Sequence, residues 1–198
     1  MSIIKLLFVF SPWIAFWIIA AGGHSLLWLR IAICVAAAMV VVMGITKLHR
    51  GIILWAGVVF FSFALVAVVW LTNMWVIKHM GILTSGTLFL ATFYSMLIGQ
   101  PFTEDYARDH VPPELWDHPN FIRSCYIVTT VWGLIFFANT LVNVVKLYYP
   151  AFGELFYTGV EIVILASGIV FTNVYSKQAE RKRAAAAANP QAQRLEKG

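Results

Sequence analysis

Apolar residues along this chain fall into six blocks, at 4–21, 26–45, 52–71, 81–99, 125–145 and 155–175, and polar and charged residues gather between them. A helix rises about 1.5 Å per residue, so about 20 residues cover the hydrocarbon of a bilayer. Each block is long enough to span, the first least comfortably. The pattern predicts an all-α fold: a polytopic membrane protein of about six transmembrane helices arranged as three hairpins over 1–176. A connection with a short helix at 100–124 interrupts it, and a basic tail at 177–198 follows. The hairpin connections share no motif, and the tail should extend the sixth helix for a few turns before Pro190, because its alanines favour helix and proline does not.

Composition turns that pattern into a choice of solvent. Hydrophobic residues make up 61% of the chain and charged residues 12%, against about a quarter charged in a soluble domain. Mean hydropathy is +0.80. The net charge of +5 does not point to nucleic acid, because the basic residues lie at block ends and in the tail rather than on one folded face. The expected partner is the lipid bilayer. With the N-terminus inside, eleven of the fourteen Lys and Arg residues fall on the cytoplasmic side, among them Lys5, Lys47, Arg50, Arg108, Arg123 and the tail, leaving Arg30, Lys78 and Lys146 opposite. The positive-inside rule therefore places both termini in the cytoplasm. Trp28, Trp55, Trp70, Trp75, Trp116, Tyr148 and Tyr149 sit near block ends, at the depth amphipathic rings prefer. Lys5 and the small residues Ala20, Ala21 and Gly22 resemble a cleavable leader, but the block's length, Pro12 and the even number of spans favour a retained helix. Cys34 and Cys125 have no CxxC or metal-ligand spacing and read as packing residues.

Glu161 is the first candidate for chemistry, since it lies about two turns inside the sixth block, where an ionised carboxylate is expensive. Arg30 lies a little over one turn inside the second block, and both blocks begin on the same side, so the two charges can meet. Such a pair fixes helix packing in its plainer reading, and Arg30 can also snorkel to the interface by itself. In the sharper reading the pair is a proton or substrate site of a transporter. Asn139 and Asn143, four apart on the fifth block, share one helical face and must look inward, normally toward a neighbouring helix and less often along a solute path. Thr84, Thr87, Thr92 and Ser95, with Gly81 and Gly86, make the fourth block a small-residue helix suited to close packing.

No cofactor or metal is expected. His24 and His79 lie at one membrane edge, His49 at the other, and His110 and His118 in the long connection, so none is buried mid-membrane where a haem would need it, and a His24/His79 metal site is a less common reading than surface histidines in connections. No HExxH, GxSxG, P-loop or paired-carboxylate arrangement occurs, and the chain does not read as an enzyme. The 100–124 connection is the one with local design. Thr103 can cap a short helix, Glu104 and Asp105 suit its positive end, and Glu104 can pair with Arg108. Pro112 and Pro113 end that helix, and Leu115, Trp116 and Phe121 would then dip back into the interface. Glu104, Asp105, Arg108, Asp109 and Trp116, with Glu114 and Asp117 beyond, form a candidate interaction surface, a solvated loop being the plain alternative.

A small-residue span ending in Gln100-Pro101 is followed by a short helical stretch and by Val111-Pro112 with Trp116 soon after. Then come Trp132, Phe136-Phe137, Asn139 or Asn143, a closing turn at Tyr149-Pro150 and a last span with a basic exit. In these features, over roughly the C-terminal two thirds, the chain resembles the intracellular septation protein A family of bacterial inner-membrane proteins. It departs from that family at Thr103-Glu104-Asp105, where the family tends to be basic. The resemblance implies a non-enzymatic protein of the bacterial inner membrane, tied to septation or envelope maintenance through contacts with other inner-membrane proteins or with itself. The rival expectation is a small transporter or channel built on Glu161, Arg30, Asn139 and Asn143. A membrane-embedded redox or lipid enzyme is a third, for which no catalytic constellation is visible.

Overall fold

A computed structural model of the protein describes residues 8–23, 25–46, 51–108 and 111–188, the side chains of 180 and 182–188 excepted. Lys5, His24, Lys47, His49, Arg50, Asp109, His110, Arg194 and Lys197 lie outside the described residues. Those described form eight α-helices and no strand: α1 Ser11–Ala21, α2 Leu26–Ile45, α3 Ile52–Ala64, α4 Met74–Lys78, α5 Met80–Leu97, α6 Glu104–Ala107, α7 Pro119–Tyr148 and α8 Gly153–Ala188. Helix α3 runs on without a break into π-helical turns over Leu65–Trp70. Five stretches are long and apolar enough to cross a membrane: Leu26–Ile45, Ile52–Trp70, Met80–Leu97, Pro119–Tyr148 and Pro150–Ala179. The chain is thus an all-α polytopic membrane protein, with α1 as a shorter apolar helix of 11 described residues.

Burial differs from that of a water-soluble bundle: polar side chains share the apolar interior, and large aliphatic ones face outward. Thr84, Ser85, Thr92, Ser95, Thr129, Asn139, Asn143 and Thr172 are buried, while Leu27, Ile31, Val41, Val42 and Ile45 on α2 and Leu155, Ile162, Val163 and Val170 on α8 face outward. Lipid is as apolar as leucine, so helices in a bilayer gain most by close backbone approach and shared hydrogen bonds. Helices α5 and α7 make the most extensive contact of the bundle, with Gly133 packed on Thr92. Helix α1 pairs with α2 and inserts aromatic rings between its neighbours. Phe10 stacks on Trp132 with centroids 5.7 Å apart, and Trp13 stacks on Phe60 at 5.2 Å and meets Phe61 at 4.9 Å. The first block therefore contributes to the core. A turn at Phe10 separates the helical residues Phe8 and Val9 from α1, and Pro12 sits in the first turn of α1, where its missing N–H has no helical partner to lose.

Several connections are more ordered than hydropathy predicts. Helix α7 starts at Pro119 rather than at 125, with His118 Nδ1 accepting from the Asn120 N–H at 3.2 Å, so the long connection is shorter than expected. Phe121 lies in the first turn of α7. It is buried with Val111 and Cys125, and Trp116 packs on the three. The 72–80 connection holds α4, capped by Asn73, whose Oδ1 accepts from the N–H groups of Trp75 and Val76 at 3.0 and 3.2 Å. Cys125 packs as expected, whereas Cys34 is exposed, so its packing role is corrected.

Candidate intramembrane polar site

Thr129, Trp132, Phe136, Asn139 and Asn143 recur every three or four residues along α7 and so share its buried face. Asn143 Nδ2 donates to the Asn139 carbonyl at 2.9 Å. The Asn143 side chain lies against Gly81 of α5, where an added Cβ would overlap Oδ1 and come within 2.8 Å of Cγ. One turn along, the Thr140 hydroxyl lies 3.1 Å from Ser85 Oγ and 2.8 Å from the Phe136 carbonyl, and Ser85 Oγ donates to the Gly81 carbonyl at 2.8 Å. Trp132 Nε1 donates to Thr172 Oγ1 at 3.1 Å, which ties α7 to α8.

Glu161 enters this strip from α8. It is 5% exposed, lies beside Asn143, and feels the charge of Lys146 from the same helix as Asn143. Its Oε1 has no hydrogen-bond partner. Lys146 Nζ is 3.6 Å from Glu154 Oε1 at the α7–α8 turn, and among the described residues no ion pair joins Glu161 to any cation. An ionised carboxylate in this position costs several kcal/mol unless a proton, a cation or water reaches it. Arg30 is elsewhere: its Nη2 donates to Thr72 Oγ1 at 2.6 Å, and its Nε is buried without a partner. Of the four polar residues singled out in the sequence, the fold brings together Asn139, Asn143 and Glu161 and leaves Arg30 out.

Asn139 is 1% exposed, and neither Nδ2 nor Oδ1 has a partner. It forms part of the wall of a cavity of about 220 Å³ between α1, α5, α7 and α8.

The long connection is built as a small packed unit. Arg108 Nη2 and Glu104 Oε1 pair at 2.6 Å, as the spacing predicts, and the guanidinium also lies 5.2 Å above the Trp116 ring. Trp116 Nε1 donates to the Val111 carbonyl at 2.9 Å. Thr103 does not cap α6 with its side chain. Its hydroxyl is buried, 2.9 Å from the Cys125 carbonyl and 2.8 Å from Thr129 Oγ1, because α6 is a single turn pressed onto α7 by Phe102 and Tyr106. Asp105 is an exposed residue, yet partial desolvation of its carboxyl by the surrounding chain raises its pKa above the ordinary value, with Arg108 lowering it and Glu104 raising it. Burial, and secondarily Asp105, also raises the pKa of the Tyr106 phenol. Glu104 is thus engaged by Arg108, while Asp105, Glu114 and Asp117 remain outward.

Sequence reasoning anticipated close packing at Gly81 but passed over the roles of Lys146, Ser85, Thr140 and Thr172. The signal for Thr140 was present, since with Thr129, Gly133 and Asn143 it belongs to the small and polar side of α7 that also carries Asn139. No protein-family model, curated protein or solved structure matches this chain.

Proposed function

We propose that the protein is a small proton-translocating transporter, with Glu161 as the group that takes up and releases the proton and Asn143 as its hydrogen-bonding neighbour. The observation that carries this reading is the buried Glu161 carboxyl with an unpartnered oxygen and, among the described residues, no ion pair, Arg30 being committed to Thr72. A carboxylate kept only for packing would be neutralised by a fixed cation. One that exchanges a proton needs a polar neighbour; Asn143 is that neighbour, and Lys146, whose charge acts on Glu161, pairs with the more exposed Glu154 at the α7–α8 turn. The protein is non-enzymatic in this reading and sits in a bacterial inner membrane with both termini in the cytoplasm. In liposomes holding a pH-sensitive dye, an interior-negative potential should drive proton entry through the wild type and not through Glu161→Gln. Equal rates in the two, or a wild-type rate no faster than protein-free vesicles, would overturn the proposal.

A second reading keeps the septation-like role, in which the chain acts by contacting other envelope proteins. The observation in its favour is the packed unit of Val111, Trp116 and Phe121, which contains the Val111-Pro112 and Trp116 features of the resemblance. Division or envelope proteins co-purifying with the wild type from native membranes, and lost from Trp116→Ala, would favour this reading. Their absence beside Glu161-dependent proton entry would favour the first.

A further inference from the structure

We propose that Lys146 is a mobile counter-ion for Glu161: its ammonium rests on Glu154 while Glu161 holds a proton, and crosses to the Glu161 carboxylate when that proton leaves. This role rests on Glu161 as the proton-carrying group, and Lys146 is the positioning residue that makes its ionised form tolerable.

Helix register places Lys146 between the two acids. Glu154 and Glu161 are seven residues apart on α8, nearly two full turns, so they share one face about 10.5 Å apart along the axis. Contacts of Trp132 with Thr172, Asn143 with Glu161 and Lys146 with Glu154 run in opposite directions along α7 and α8, which are therefore antiparallel. Asn143 lies beside Glu161, and Lys146, three residues on, stands on the same side of α7 about 4.5 Å nearer the turn. Its root falls between the levels of Glu161 and Glu154, and its flexible stem ends in rotatable donors.

The contact with Glu154 is loose. Lys146 Nζ stands 3.6 Å from Glu154 Oε1, beyond the roughly 2.7–2.9 Å of a tight charge-assisted bond, and the side chains are 30% and 62% exposed. A pair so open holds its members weakly, so little opposes the crossing. Glu161 offers the stronger hold once ionised, because its buried surroundings screen charge less. The carboxyl meets the ammonium by turning toward the Asn143 side, where the charge of Lys146 already acts on it. The other ionisable groups brought to this end are Tyr157 on α8, whose hydroxyl donates to the Tyr149 carbonyl, and Lys78 and His79 ahead of α5, with His79 Nδ1 2.7 Å from the Trp75 carbonyl. Arg30 is held by Thr72.

The step moves one proton. The Glu161 O–H bond breaks, the proton is released to water, Lys146 stays an ammonium throughout, and one ion pair is exchanged for another. Without that exchange the carboxylate would stand alone in an apolar bundle, which favours keeping the proton on.

An infrared titration of the reconstituted full chain tests this through the pH midpoint of the carboxylic C=O band that Glu161→Gln removes. Lys146→Met should raise that midpoint by about one pH unit or more, and Lys146→Arg, which keeps the charge, should return it toward the wild-type value. Glu154→Gln should lower it by about half a unit, since the ammonium then has no pair to leave. In the Lys146→Met background the same change should shift the midpoint far less, because its effect passes through Lys146. A midpoint unmoved by Lys146→Met or by Glu154→Gln, or a Glu154→Gln shift undiminished without Lys146, would overturn the proposal. Glu154 is exposed, so Glu154→Gln reads the exchange even where Lys146→Met does not fold. A wild type without the band would sink the proton reading of Glu161 and this role with it, whereas a titrating band with an unmoved midpoint sinks the counter-ion alone.

Discussion

Glu161 and Arg30 occupy separate hydrogen-bonding environments, the first beside Asn143 and the second on Thr72 Oγ1. Substitutions without a shared partner usually add within about 0.5 kcal/mol. Glu161→Gln and Arg30→Gln should therefore change stability additively in detergent melts, and a double mutant sturdier than the worse single one would show that the two charges interact. The hydroxyl of Thr103 gives a second residue-scale expectation. Thr103→Val keeps the shape but leaves the Thr129 hydroxyl short of its partner, at a cost of about 1–3 kcal/mol, and Thr103→Val with Thr129→Val should recover part of it. No loss in the single mutant would mean that the buried bond contributes nothing. At Asp105 the folded chain raises the carboxyl pKa, so it holds its proton more readily folded than unfolded. Stability then rises as pH falls through the raised value and is lowest where Asp105 is ionised. Asp105→Asn should raise the melting temperature at neutral pH, with an advantage that shrinks on acidification; an advantage independent of pH would contradict this. Glu161, Asn139 and Asn143 were legible in the sequence because polar groups inside apolar blocks must be explained. The partner of Arg30 was not, since Thr72 is 42 residues away and adopts a φ of +50°, a conformation uncommon for a β-branched residue.

Close approach of α5 to α7 depends on Gly81, because any side chain there meets Asn143 head on. Gly81→Ala should cost about 1–3 kcal/mol as the helices separate or Asn143 turns away. Removing the obstacle as well, in Gly81→Ala with Asn143→Ala, should restore most of that loss in thermal melts, whereas losses that simply add would show that the glycine is not making room for the amide. Gly168 is a milder case: an added Cβ there meets the flexible end of Ile135, which can move. Helix α1 is held by rings rather than by length, and Trp13→Ala should cost about 3–5 kcal/mol by uncovering Phe60 and Phe61. The spans themselves were readable from hydropathy to within a few residues at α2 and α5. The early start of α7 and the presence of α4 were not, because both are set by caps, His118 before Pro119 and Asn73 before Met74, in stretches that hydropathy reads only as breaks between spans.

At the scale of the molecule, polar and small side chains set among interior rings, with aliphatic ones on the outer faces, suit a bundle in lipid, and composition alone was enough to anticipate that fold class. The cavity was not legible, since it depends on which faces of α1 and α8 turn toward Trp132 and Asn139. The basic tail sets the expected orientation: a cysteine placed after Lys177 should react with an impermeant reagent only once the membrane is opened, and labelling from outside intact cells would overturn it. Whether Glu161 exchanges a proton with water is the point on which the functional account turns. Infrared difference spectra of the reconstituted protein, recorded while the buffer is switched between acid and alkaline, observe the carboxyl directly. The account predicts a carboxylic C=O band that appears and disappears with pH in the wild type and is missing from Glu161→Gln. Identical difference spectra for the two proteins would mean that Glu161 never changes its protonation and would contradict its role as the proton-carrying group.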